Sequence, residues 1–165
     1  MKPVLKLLVI ACCLTGCATV TTTRQKADER ERIFAEISHS VQNKNYTMEF
    51  NYVTPMTFTP HFLTSNYSVQ VDGDSLRSFL PFFGRAYRAD TYGDNKSPLC
   101  FDGPILYYTV DKKKKKKLRV ELKTQHHSDY LTYYIEIFED GKVSLSVTSS
   151  DRETINFSGN LVRKE

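Results

Sequence analysis

The feature that most constrains this chain is a repeated alternation of apolar and polar residues, run after run, over most of its length. Tyr46, Met48, Phe50 and Tyr52 alternate with polar positions, and Tyr67, Val69 and Val71 do the same. Leu118, Val120 and Leu122 follow, then Leu131, Tyr133, Ile135 and Ile137. Val143, Leu145 and Val147 come next, then Ile155, Phe157 and, less cleanly, Leu161. Successive residues of a strand point to opposite faces, so each run has one apolar face to bury and one for water. Ile105–Val110 is apolar on both faces and adds a further strand. Glu139-Asp140-Gly141-Lys142 contains an Asp-Gly pair, which tolerates the positive φ of tight hairpin turns. Short connections imply antiparallel neighbours, because a parallel pair needs a long crossover. The pattern predicts seven or eight strands in an antiparallel meander, forming a strongly curved sheet or a closed barrel.

One segment has a helical period instead. Over Ala27–Val41, Ile33, Phe34, Ile37 and Val41 recur at spacings of three and four, a narrow apolar stripe. Asp28 and Glu29 fall near the expected N-terminus, where the helix dipole favours negative charge, and Asn43-Lys44-Asn45 ends the segment. A single stripe means a single buried face, so this helix is expected to pack on an end or open side of the sheet. The fold class is mainly β, or α+β by strict count.

The first sixteen residues do not fit that domain. Lys2 and Lys6 precede the uncharged run Leu7–Leu14, which is shorter than the ~20 apolar residues needed to cross a bilayer. Its length and flanks fit a secretory signal. Leu14-Thr15-Gly16-Cys17 resembles the lipobox of the bacterial lipoprotein pathway. That resemblance implies cleavage before Cys17, a diacylglycerol on its thiol and acylation of the new amino terminus. Each buried methylene contributes about 0.8 kcal/mol, and two or more chains hold firmly where one is marginal. Residues 1–16 are therefore expected to be a signal peptide, 17–26 the lipidated cysteine and a threonine-rich tether, and 27–165 a single domain. An extended tether of this length would reach roughly 30 Å. With no Asp after Cys17 and no early acidic cluster, analogy with known sorting rules favours an outer-membrane anchor facing the periplasm.

Removing Lys2 and Lys6 from 23 basic residues leaves 21 against 19 acidic ones, which is no nucleic-acid signature. Cys12 and Cys13 leave with the signal and Cys17 is acylated, so Cys100 stands alone and no internal disulfide is expected. The hydrophobic core must supply the stability.

The stretch from Asn66 to Tyr87 is distinctive. Tyr67-Ser68-Val69, Asp72-Gly73-Asp74-Ser75-Leu76 and Leu80-Pro81-Phe82-Phe83-Gly84-Arg85-Ala86-Tyr87 resemble the hallmark of the family called domain of unknown function 4251. Asp151-Arg152-Glu153-Thr154-Ile155-Asn156-Phe157-Ser158-Gly159 is similar to its carboxy-terminal strand, and the resemblance spans residues 30 to 163. It implies an exported protein or lipoprotein of Bacteroides-type gut bacteria with a lipocalin-like β-barrel. It implies no activity, and no catalytic residue carries over. Read on its own residues, Leu76, Phe79, Leu80, Phe82 and Phe83 are dense without strict alternation, and Pro81 breaks any inner ladder. This predicts an irregular plug for the barrel. In a functional version, Phe79, Phe82, Phe83 and Tyr87 wall a pocket for a small apolar ligand.

Other clusters carry weaker chemical signals. His126-His127-Ser128-Asp129 could ligate zinc or do acid–base work. Neighbouring strand residues diverge, however, and His39 and His61 offer no completing spacing, so a solvated turn is favoured. A pairing of Cys100 with a histidine lacks any nucleophile motif. Lys112, Lys113, Lys114, Lys115, Lys116 and Lys117 form an unbroken run. It reads as a charged hairpin tip that discourages edge pairing, with contact to an anionic lipid surface as the functional alternative. Asp72-Gly73-Asp74-Ser75 lacks the ligand spacing of a calcium loop and reads as a turn. Arg85, Arg88, Asp90 and Asp94 around Tyr87 and Tyr92 read as a surface ion network. No cofactor, metal site or catalytic residue is expected, and an enzyme is disfavoured. The leading expectation is a membrane-anchored envelope lipoprotein that binds a small apolar ligand or an envelope component. The alternative is a structural or interaction module with a filled core, and a hydrolase using His126, His127 or Asp129 stands third.

Overall fold

The structure, a computed structural model, describes residues 18–88, 97–113 and 117–162. Helix α1 (Ala18–Gln42) leads directly into eight strands. These are β1 (Asn45–Pro55), β2 (His61–Asp72), β3 (Ser75–Phe79) and β4 (Cys100–Lys113). They continue with β5 (Lys117–His126), β6 (Asp129–Phe138), β7 (Lys142–Ser149) and β8 (Ile155–Val162). Every strand pairs antiparallel with its sequence neighbour, and β8 pairs back onto β1 to close the barrel.

The alternation seen in the sequence becomes an inside and an outside. Met48, Val69, Val71, Leu118, Val120, Leu122, Tyr133, Ile135, Ile137 and Leu145 face inward with no accessible surface. Turns close where the chain supplies the right conformers: Gly73 (φ 57°) between β2 and β3, and Gly141 (φ 83°) between β6 and β7. The seam of the barrel has its own requirement. Gly159 faces Phe50 across the β1–β8 ladder, beside a register shift between Phe50 and Tyr52. A Cβ there would stand within 2 Å of the Glu49 carbonyl oxygen, at 1.9 Å. Only glycine lets the two backbones come this close.

Two lids close the barrel. Phe34, Ile37 and Val41 of α1 are buried with the core, and Ile37 reaches the Gly141 turn. The Tyr108 hydroxyl donates to the Val41 carbonyl (2.7 Å), and its oxygen lies 3.3 Å from the Tyr46 hydroxyl. At the opposite end, Leu80 and Pro81 are buried just after β3.

The structure revises three details of the sequence reading. The helix begins at Ala18 rather than Ala27, because a helix nucleated by a packed segment propagates at little expense. Residues 18–26 therefore rise about 1.5 Å each, not the ~3.5 Å of extended chain. Asp28 and Glu29 lie mid-helix, and the first turn carries no acid. Finally, Ser75–Phe79 is not part of the plug but a strand, β3, with Leu76 and Ser78 inward.

Candidate functional site

The plug begins where β3 stops. The Leu80 N–H donates to the Leu99 carbonyl (3.3 Å), while the Leu80 carbonyl accepts from the Ser97 hydroxyl (2.6 Å) and the Cys100 thiol (3.3 Å). Phe82 and Phe83 are part-buried against the core, with Phe83 edge-on to His61 at 4.8 Å. Phe79 points outward, 49% exposed and stacked on Tyr67 at 5.5 Å. Tyr87 is 67% exposed, its N–H donating to the Asp151 carbonyl (2.7 Å). The four aromatics singled out in the sequence thus do not wall one space. Two lean on the core and two face solvent.

Beside the plug lies a polar cluster that the sequence reading only half anticipated. His127 and Ser128 form the β5–β6 turn, with His127 at φ 55°. Asp129, the first residue of β6, is turned inward and 5% exposed. Its carboxylate accepts from the Ser149 hydroxyl (2.8 Å to each oxygen), the Ser150 hydroxyl (3.0 Å) and the Ser150 N–H (3.1 Å). Arg152, itself 8% exposed, donates to it at 2.5 Å. Arg152 went unrecognised as its partner, because nothing local links residues 23 apart. The available hint was a charged residue at the head of the β8 segment. The neighbouring His126 stacks on Phe101 at 4.4 Å, and burial, His127 and Arg152 together hold its imidazole below the ordinary range against the pull of Asp129. These four donors engage the lone pairs of the Asp129 carboxylate, leaving few for a further contact.

The remaining candidates are dispersed. Among the described residues, no group of three His, Cys, Asp or Glu side chains is placed to hold a metal ion. The Lys44 ammonium pairs with Asp74 in the β2–β3 turn (2.7 Å). Arg88 lies 3.7 Å from Asp151, whereas Asp90, Tyr92 and Asp94 fall outside the described residues. Of the lysine run, Lys112 sits over the Phe34 ring at 5.5 Å. Lys117 pairs with Glu136 at 3.0 Å, and Arg119 joins it at 2.7 Å. Hydrogen bonds from Arg119 and Lys117 hold the Glu136 carboxyl below the usual range. Lys113 ends β4, and Lys114, Lys115 and Lys116, like Cys17, lie outside the described residues.

The barrel interior is filled by its own side chains. Tyr133 and Phe157, the bulkiest, occupy it with Met48, Leu76 and the strand aliphatics. The Tyr133 hydroxyl donates to Ser78 Oγ (3.1 Å), and burial pushes its phenol well above the usual range. A side chain with no accessible surface leaves no room beside it even for water. Among the described residues, a depression of about 310 Å³ lies outside, between α1 and the β1–β8 seam, lined in part by Ile33, Ile37, Tyr46 and Leu161.

Comparison with known proteins follows the same lines. A family model described as Domain of unknown function (DUF4251) matches residues 28–161. A crystal structure of a DUF4251 family protein from Bacteroides eggerthii is similar, with a TM-score of 0.61 at 16% identity over 79% of this chain and 87% of that one. At that identity the likeness concerns the fold alone. No curated protein matches the chain.

Proposed function

The chain belongs to the DUF4251 family, and from that premise we propose that it is a lipid-anchored envelope protein whose barrel is a non-catalytic interaction module, working through its outer surface rather than through a ligand held inside. The filled interior carries this reading. Eight-stranded barrels are just wide enough either to be packed by side chains or to hold one small ligand, and here Tyr133, Phe157, Met48 and Leu145 occupy the space a ligand would need. The saturated carboxylate of Asp129 supports the non-catalytic part.

The anchor rests on Leu14-Thr15-Gly16-Cys17 and the short apolar run before it. Lipid on Cys17 would hold the protein to the outer membrane facing the periplasm. α1 starts at Ala18, so the barrel would stand off the membrane on a helix whose residues from Gln25 to Arg32 are exposed.

Two measurements test the proposal. Metabolic labelling with a fatty-acid analogue is expected to mark the wild-type protein and not Cys17→Ala; equal labelling of both would remove the anchor. Native mass spectrometry of the purified mature protein is expected to show no noncovalent small molecule. A stoichiometric apolar passenger would restore the ligand-carrier reading.

A further inference from the structure

The outer wall of the barrel steps down between β6 and β7. On β5 and β6 the outward positions carry long side chains, among them Arg119, Glu121, Tyr134 and Glu136. On β7 the outward Ser144, Ser146 and Thr148, and on β8 the outward Asn156 and Ser158, are short, polar and uncharged. Register sets tall beside short. Tyr134 lies opposite Ser146 and Glu136 opposite Ser144, and these serines face Asn156 and Ser158 on the next strand. The step leaves a depression of about 470 Å³ lined by Arg119, Glu121, Tyr134, Glu136, Ser144 and Ser146. A second, of about 570 Å³, shares Ser144 and takes in Ser158 and Arg30 of α1. From β6 to β8 the floor is roughly 10 Å across, too wide for a single ion and wide enough for a short chain of rings.

This composition does not serve the sheet. Asparagine is disfavoured in strands, and serines set opposite one another give up the cross-strand contacts of larger side chains. The Thr148 hydroxyl donates to the Thr132 carbonyl (3.4 Å), whereas the side chains of Ser144, Ser146, Asn156 and Ser158 carry no hydrogen bond among the described residues. The charged members of the lining are already paired. Glu136 accepts from Arg119 (2.7 Å) and Lys117 (3.0 Å), and Glu121 lies 3.1 Å from Lys123. An anion would meet the two carboxylates and a cation would meet Arg119, so the lining selects for neither. A protein interface draws its energy from buried aromatic or apolar anchors, and a floor of hydroxyls supplies none. What this face offers is hydroxyls that donate and accept, a carboxamide, and the ring of Tyr134, 42% exposed. A neutral saccharide presents the matching groups: hydroxyls that donate and accept, and a C–H face that packs on an aromatic ring.

We infer that the outer face of β6, β7 and β8 binds a neutral saccharide chain, one sugar ring lying on Tyr134 and the hydroxyls bonded to Ser144, Ser146 and Asn156. This inference rests on the interaction-module reading and names its surface and the class of its ligand. A trough open to solvent holds such a ligand loosely, so added glycan binds reversibly and none is carried through purification.

The probe is an array of immobilised neutral oligosaccharides of hexoses and N-acetylhexosamines, with sulfated and sialylated members for comparison, exposed to the full mature chain. At least one neutral member is expected to bind, and its titration to shift the amide resonances of Ser144–Thr148 and Asn156–Ser158. Tyr134→Ala should weaken binding about tenfold, the scale of one aromatic contact. Ser144→Gln, which fills the floor at an exposed position, should weaken it also, and an unchanged thermal midpoint would show that the barrel itself stands. No neutral member bound, binding confined to the charged members, or resonance shifts confined to another face overturns the inference. So does binding that Tyr134→Ala and Ser144→Gln both leave intact. Any of these failures leaves Cys17 labelling and a native mass spectrum free of an apolar passenger as separate tests of the anchored module.

Discussion

Asp129 and Arg152 are charged side chains with almost no contact with water, and they pair with each other there. Breaking a buried pair from one side leaves an uncompensated charge, a loss of about 3–5 kcal/mol, whereas replacing both partners is far milder. Arg152→Met is therefore predicted to lower the denaturant midpoint strongly, and the double change Asp129→Asn with Arg152→Met to recover much of it. His126 supplies a pH signature at the same end. Its folded pKa is depressed, mainly by burial, so the unfolded chain takes up this proton first as pH falls below about 6.5. The contribution is neutral above that range, and stability is lost on acidification through it. Thermal unfolding followed across this window should show the loss in the wild type, and His126→Phe should flatten it. The His-His-Ser-Asp string reads as a solvated turn, and His127 and Ser128 form one, while His126 ends β5 and Asp129 begins β6. Its buried acid was not legible, because burial depends on a partner from a distant strand.

At the scale of elements, long strands with strict alternation were readable and short or polar ones were not. β6 and β7 carry an aliphatic or aromatic residue at nearly every inward position, so period alone identifies them. β3 hides because Ser78 takes an inward position, where it serves the Tyr133 hydroxyl. The front of α1 hides because Thr21, Thr22 and Thr23 are poor helix formers, and continuity with the packed rear half overrides their preference. The two halves of the helix should respond differently to substitution. Ile37→Ala removes a buried side chain of the lid and is predicted to lose about 2–5 kcal/mol, whereas the exposed Arg30→Ala should stay within about 0.5 kcal/mol. Gly159→Ala tests the seam. Its methyl would collide with the Glu49 carbonyl, so a loss of about 1–3 kcal/mol or more is expected, with faster amide exchange along β1 and β8 than elsewhere. The candidate pocket aromatics show the limit of such reading, since density in sequence gave no sign of which side of the barrel each would face.

The molecule as a whole is an antiparallel meander closed into a barrel, with β3 shorter than the strands on either side of it. Six alternating runs, the apolar Ile105–Val110 segment and short turns gave seven or eight strands in a curved sheet or a closed barrel, and the pairing of β8 with β1 makes it the barrel. Whether the inside is hollow could not be read from them, since the same alternation serves a packed core and a ligand cavity alike. The answer lies in side-chain volume, above all in Tyr133 and Phe157 filling the centre. The most direct measurement of this claim is the binding of a small apolar probe such as xenon or benzene, followed by NMR, to the wild-type barrel and to Leu145→Ala. Engineered apolar cavities of adequate size take up such probes. The wild type is predicted to show no interior site, with saturable binding appearing only once Leu145 is truncated. Saturable binding inside the unaltered barrel would contradict the account.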